Sequence, residues 1–165
     1  MSRECIVHKA VELDRVQKKL RPTQDDLTHN YICQLKYDGC NMVAMKAGQS
    51  AEMVALLSRT GETVHSANEL REHIGGAPFM PLGVYLGEYW HPEFDIGEIS
   101  GRFRKQSEQF AGMHFVVCDY LTITEWDQGY YDLTYVERVN RLPELFFQID
   151  PERSLVYPAH SEGNL

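Results

Sequence analysis

Short apolar runs broken by polar, glycine-containing segments set the rhythm of this chain, and most are strand-length. Residues 31–35 (YICQL) and 41–46 (NMVAMK) read as two strands divided by Lys36-Tyr37-Asp38-Gly39, whose glycine suits a tight turn. A third strand is expected at 53–57 (MVALL), a fourth at 83–90 (GVYLGEYW) and a buried, β-branched one at 113–121 (MHFVVCDYL). Ser66-Ala67-Asn68-Glu69 has the form of a capping box that opens a short helix ended by Gly75-Gly76. Pro78 and Pro81 mark a loop. The segment 96–110 is polar, with apolar residues at Ile96, Ile99, Phe103 and Phe110, and predicts a surface helix. A second capping box, Thr134-Tyr135-Val136-Glu137, opens a helix expected to run to about Leu145, and a last strand is expected near 154–158. Strands interrupted by helices at irregular intervals point to an α+β fold with mainly antiparallel sheets.

Composition changes this picture little. With 165 residues, 43% of them hydrophobic and 24% charged, the chain can bury one domain's core, and we expect a single domain over 1–165. No apolar stretch reaches the roughly 18 residues of a membrane helix, and the N-terminal residues lack a signal-peptide core. A cytoplasmic monomer with no membrane partner is the expectation. The four cysteines (Cys5, Cys33, Cys40 and Cys118) have no metal-ligand spacing, and the seven histidines are scattered, which argues against a zinc site. A net charge of -8 is unfavourable for a nucleic-acid binder as a whole. Basic residues cluster locally, however, at Arg102, Arg104 and Lys105 and at Arg15, Lys18, Lys19 and Arg21. Each cluster reads equally well as a solvated face.

Candidate chemistry centres on Lys36-Tyr37-Asp38-Gly39. A lysine between strands, beside a carboxylate and a turn glycine, can act as a nucleophile, although an ordinary charged turn has the same composition. Further along come Ser58-Arg59-Thr60-Gly61, then Tyr85-Leu86-Gly87-Glu88 in an apolar strand. Last is Phe115-Val116-Val117-Cys118-Asp119, a strand ending on a carboxylate. Positions 36 and 59 are 23 apart, 36 and 88 are 52 apart, and 88 and 119 are 31 apart. In order and spacing these four elements resemble the covalent nucleotidyltransferases, specifically the phage and bacterial ATP-dependent DNA ligases. They correspond to that family's K-x-D-G, S-R-x-G, L-D-G-E and F-x-x-F-D elements, and the likeness runs from about residue 8 to the end of the chain.

The resemblance implies an ATP-grasp-like ligase adenylation fold, with ATP and magnesium as cofactors and nicked duplex DNA as partner. It implies work in DNA replication, repair or recombination in a bacterial or phage-infected bacterial cell. By the same resemblance Lys36 is the catalytic nucleophile that becomes adenylated. The nucleotide-binding set is Gln34, Leu35, Lys36, Asn41, Arg59, Glu88 and Cys118, with Gln34 reading the adenine edge, and Asp38 and Glu88 serve the metal. Three positions depart from the family pattern: Asn41 stands in place of an arginine, Leu86 of an aspartate, and Cys118 of the aromatic that lines the adenine pocket. Glu162-Gly163 imitates the family's later E-G element. Its setting reads instead as the start of the helix that precedes that element, so the second metal-binding glutamate, a phosphate-gripping lysine pair and an OB-fold domain are expected beyond residue 165. The other readings are an RNA ligase, an mRNA-capping guanylyltransferase, and a catalytically inactive nucleotide- or DNA-binding module.

Overall fold

The computed structural model describes residues 13–23, 25, 32–129, 132–147 and 154–162. The strands are β1 (Cys33–Gln34), β2 (Cys40–Lys46), β3 (Val54–Ser58), β4 (Gly83–Trp90), β5 (His114–Leu121), β6 (Val156–Pro158) and β7 (Ser161–Glu162). The helices are α1 (Asn68–Gly76), α2 (Ile96–Arg104), α3 (Ile123–Gln128), α4 (Tyr135–Val139) and α5 (Leu142–Leu145). A five-stranded sheet runs in the order β3-β2-β4-β5-β6, antiparallel except for the parallel pair β5 and β6. β1 and β7 form a separate two-stranded antiparallel ribbon. The α+β expectation therefore holds. Among the described residues no helix is long and apolar enough to cross a membrane.

Alternation explains how the large sheet is used. Met42 and Ala44 on β2, Tyr85 and Tyr89 on β4, and Phe115 and Val117 on β5 point to one face and join the main core with Leu70 and Ile74 of α1 and Ile99 of α2. The opposite face carries a smaller cluster, Val43, Val84 and Leu121, against which Leu86 and Trp126 of α3 pack. That cover reaches only one end of the sheet. At the other end Asn41, Glu88, Trp90 and His114 lie half-buried on the same face.

Several expectations need correction. The strands on either side of Lys36 do not pair with each other: β2 belongs to the large sheet, whereas β1 pairs with β7. Ser161-Glu162 is that partner strand and not the start of a helix, because the ladder to Cys33 and Gln34 gives its backbone partners that a helical turn would forfeit. Residues 31 and 163 lie outside the described residues. Ser66 does not cap α1 either. Its hydroxyl donates to the Phe103 carbonyl instead, the N-cap position falls on Ala67, and the Gln109 side chain takes the Asn68 N–H. The helix expected over 96–110 stops at Arg104. The Thr134 capping box forms as expected, but its helix breaks after Val139 and resumes as α5, with Pro143 in the first turn.

Candidate nucleotide-binding site

Lys36, Tyr37, Asp38 and Gly39 bridge the ribbon and the large sheet, and the register of β2 on β4 determines what they face. Asn41 pairs with Glu88 and Cys40 with Tyr89, so the segment passes directly over the Glu88 end of β4. The approach is close enough to require glycine. A Cβ at Gly39 would lie 2.3 Å from the Tyr89 carbonyl oxygen and 2.8 Å from Glu88 Cγ. In return, the Gly39 backbone N–H donates to the Glu88 carboxylate.

Lys36 Nζ is 3.6 Å from Asp38 Oδ1, and both side chains are largely exposed, at 81% and 71%. An exposed pair of this kind adds little stability and leaves the amine accessible. Burial pushes the Glu88 carboxyl above its ordinary value, opposed by the Gly39 N–H and the charge of Lys36, while Asp38 adds to the rise. Lys36, Asp38 and Glu88 thus come within electrostatic reach of one another. Arg59 sits in the exposed turn that follows β3, held by Ser58: the Ser58 hydroxyl lies 3.0 Å from the Thr60 hydroxyl and accepts the Glu62 N–H at 3.1 Å. Ser58 pairs with Met42, which places Arg59 at the Asn41 and Glu88 end of the sheet. A cleft of about 330 Å³ lies beside this turn, lined in part by Thr60, His65, Phe103 and Arg104.

Leu35 is 61% exposed, and its N–H donates to the His160 carbonyl, tying the segment to the residue just before β7. Cys118 is the extra residue of a bulge in β5, opposite Leu86 and Gly87. Its thiol donates to the Leu86 carbonyl at 3.3 Å, and burial pushes that thiol up to about 12. It packs as a neutral, inert side chain. Asp119 is held by Arg138 through a fork of hydrogen bonds of 2.9 to 3.2 Å, with both residues buried. Burial pushes its carboxyl up while the guanidinium pulls it down, so Asp119 serves as an anchor for α4.

Two groupings at this end could not be read from the sequence, although Trp90 by itself reads there as a core or base-stacking aromatic. Tyr135 of α4 donates from its hydroxyl to Gln34 Oε1 at 2.6 Å. Tyr37, Trp90, His114 and Tyr157 form a chain of ring contacts across the strand ends, with centroids 5.0, 6.1 and 5.6 Å apart in turn. Tyr135 had been legible only as the first residue of a helix, and contacts between distant strands leave no periodic trace.

For a divalent cation the donor set is small. Among the described residues no group of three or more His, Cys, Asp or Glu side chains converges on one point. Two carboxylates, Asp38 and Glu88, lie on either side of the Gly39 turn near enough for the charge of Asp38 to raise the Glu88 carboxyl, a repulsion that a cation would relieve. That suits magnesium, which keeps most of its water and takes one or two carboxylates together with substrate phosphates.

Solved structures share this fold. Pmar-Lig_PreS3 matches with a TM-score of 0.69 and 14% identity, over 84% of this chain and 32% of that one. The ATP-dependent DNA ligase of bacteriophage T7, in complex with ATP, matches at 0.56 and 18%, over 79% of this chain and 48% of that one. The Chlorella virus DNA ligase-adenylate matches at 0.50 and 15%, over 87% of this chain and 49% of that one. The chain thus has the fold of the DNA ligase adenylation domain, and it spans between a third and a half of the length of these proteins. No family model matches the sequence, and no curated protein matches it.

Proposed function

We propose that this chain is the nucleotidyltransferase part of an ATP-dependent DNA ligase and that Lys36 carries the AMP. The observation behind this reading is the placement of Lys36, Asp38 and Glu88 together at the open end of a sheet with the ligase fold. In the first step the unprotonated Lys36 Nζ attacks the α-phosphorus of ATP. A P–N bond forms, the bond to pyrophosphate breaks, and the amine's proton passes to solvent. AMP then moves from nitrogen to the 5′-phosphate of a nick, freeing the lysine. Attack by the 3′-hydroxyl closes the strand and releases AMP.

Glu88 and Asp38 hold the magnesium, which when bound neutralises charge on the phosphates. Glu88 also contacts the ribose, Arg59 meets the ribose or phosphate side, and Gln34 reads the base. Leu35 and Cys118 line the base pocket, and Asn41 borders the phosphates without an arginine's charge. The related structures reported above are DNA ligases, and no observation here favours an RNA ligase or a capping enzyme.

The test is covalent labelling with ATP radiolabelled at the α-phosphate, read on a denaturing gel. It uses a longer protein that joins this chain to the phosphate-gripping lysines the resemblance implies. We expect Lys36→Ala to abolish labelling while the thermal midpoint moves by no more than about 2 °C, as for an exposed side chain. Lys36→Arg should be equally silent, since a guanidinium with a pKa above about 12 supplies almost no free base. A folded Lys36→Ala protein that labels fully would sink the proposal. Sealing of pre-adenylated nicked DNA should survive in Lys36→Ala, because that substrate bypasses the first step.

A further inference from the structure

Gln34 and Tyr135 come from distant parts of the chain and meet where α4 crosses the end of β1. The Tyr135 hydroxyl donates to Gln34 Oε1 at 2.6 Å and also lies 3.3 Å from the Cys118 carbonyl oxygen. A phenol has one proton and can serve one of these acceptors at a time. With that proton on the amide oxygen, the Cys118 carbonyl goes without the phenol. Gln34 Nε2, a buried atom, has no hydrogen-bond partner at all. Turning the amide by half a turn resolves both shortfalls. Nε2–H then donates to the phenol oxygen, the phenol donates to the Cys118 carbonyl, and Oε1 becomes the free end of the amide. That arrangement makes one more hydrogen bond within the protein and transfers the unmet partner to the amide oxygen, which a donor on a bound ligand would satisfy.

We propose that Tyr135 is a specificity-determining positioning residue. Through the relay from Cys118 carbonyl to phenol to amide, it presents the Gln34 oxygen to the nucleotide base and selects a purine with a 6-amino group over one with a 6-oxo group. The inference rests on the reading of Gln34 as a base contact. An exocyclic amine donates to the amide oxygen, whereas a 6-oxo group sets a second acceptor against it. Burial raises the Tyr135 phenol above its ordinary range, so the proton the relay needs stays in place. The ring itself is 42% exposed, with the Arg138 guanidinium 5.6 Å from its centre, so Tyr135→Phe removes the relay and keeps the packing.

The experiment measures dissociation constants of ATP and of inosine triphosphate, which differ at position 6, by calorimetry on the 165-residue chain. The variants are Tyr135→Phe and the double change Gln34→Glu with Tyr135→Phe. The parent chain should favour ATP, and Tyr135→Phe should cut the ATP-over-ITP ratio about tenfold, the worth of one hydrogen bond. Glutamate accepts at both oxygens, so the double variant should recover the preference without the phenol. Equal weakening toward both nucleotides, or an unchanged ratio, in Tyr135→Phe would overturn the role of Tyr135 and leave the nucleotide site standing. A parent chain that binds neither nucleotide would overturn the nucleotide-site reading and this inference with it.

Discussion

Met42, Tyr85, Tyr89 and Phe115 on one face of the five-stranded sheet are fully buried, whereas Asn41, Glu88, Trp90 and His114, their neighbours in sequence, lie half-buried on the other. The same strands supply both sets, so backbone pairing is common to them and only the cover differs. On the first face α1 and α2 close a continuous core. On the second, packing is complete around Val43, Val84 and Leu121 and stops short of the Lys36 end. Three of the five buried side-chain atoms that lack hydrogen-bond partners among the described residues line or border this open end: Gln34 Nε2, Asn41 Oδ1 and His114 Nδ1. Polar groups are normally satisfied when buried, and on the proposed function a nucleotide bound at this end would complete these.

The two lysines of this region follow the same division. Lys46 is 1% exposed on the covered face, its amine donates to the Ala77 carbonyl at 2.5 Å, and burial lowers its affinity for a proton. Lys36 stands over the open end in solvent. Its lowered proton affinity alone would make Lys46 a candidate nucleophile. Access excludes it, because a phosphate cannot reach an amine enclosed by the core, whereas the amine of Lys36 is open to one, as the proposed function requires.

Substitutions on the two faces should have opposite signs. Phe115→Ala, on the covered face, should cost about 3–5 kcal/mol in urea unfolding, through lost burial and the cavity left behind. A loss below about 1 kcal/mol would mean that this face is not closed. Gly39→Ala, at the crossing between the faces, should cost about 1–3 kcal/mol, because its Cβ must push the Tyr89 backbone or the Glu88 side chain aside. It should weaken nucleotide binding more than Phe115→Ala does, and the reverse order would dissociate Gly39 from the site.

Glu88→Gln should be the smallest effect on stability and the only stabilising one. Folding raises the Glu88 pKa above its ordinary value of 4.5, chiefly by burial. The folded state therefore favours the protonated acid, and the stability this confers is present below pH 4.5 and lost as pH rises through the folded pKa. At neutral pH the ionised carboxylate is a cost that glutamine removes, for a gain of about 1 °C in midpoint. That gain should shrink to nothing as the pH falls to 4. A gain that persists in acid would have another origin. Labelling of Lys36 by ATP should fall with the same substitution, which would mark the carboxylate as retained for function at the expense of stability.

Much of the fold was legible because the strong signals are local. Gly83–Trp90 could be read to the residue from its apolar run between turn residues, and β2, β3, β5 and β6 to within a residue or two. The Thr134 capping box formed because its hydroxyl and Glu137 are in reach without help from elsewhere. Ser66 offered the same pattern and failed, since Phe103 and Gln109, remote in sequence, competed for the groups involved. The candidate site divides in the same way. Lys36, Asp38, Arg59 and Glu88 could be named through the resemblance that their motifs and spacing carry, and the structure brings Lys36, Asp38 and Glu88 into electrostatic reach. Tyr135 and the ring contacts from Tyr37 to Tyr157 could not, because each depends on strands brought together by the finished topology.

The β1–β7 ribbon has a consequence for the order in which this molecule folds and opens. Among the described residues it pairs two residues on each side, far apart in sequence, with Leu35 to His160 as a further backbone bond. A contact of such high sequence separation is made late, after the loop between its partners has been shortened by the large sheet. With so few bonds it also opens readily in the native state, a local event that leaves the core intact. Amide hydrogens of Leu35 and of the Lys36 segment should therefore exchange orders of magnitude faster than those of β2, only a few residues downstream. On the proposed function, the lysine that takes up AMP would then be carried on a loosely held segment, free to swing between phosphorus centres while the sheet beneath it stays fixed.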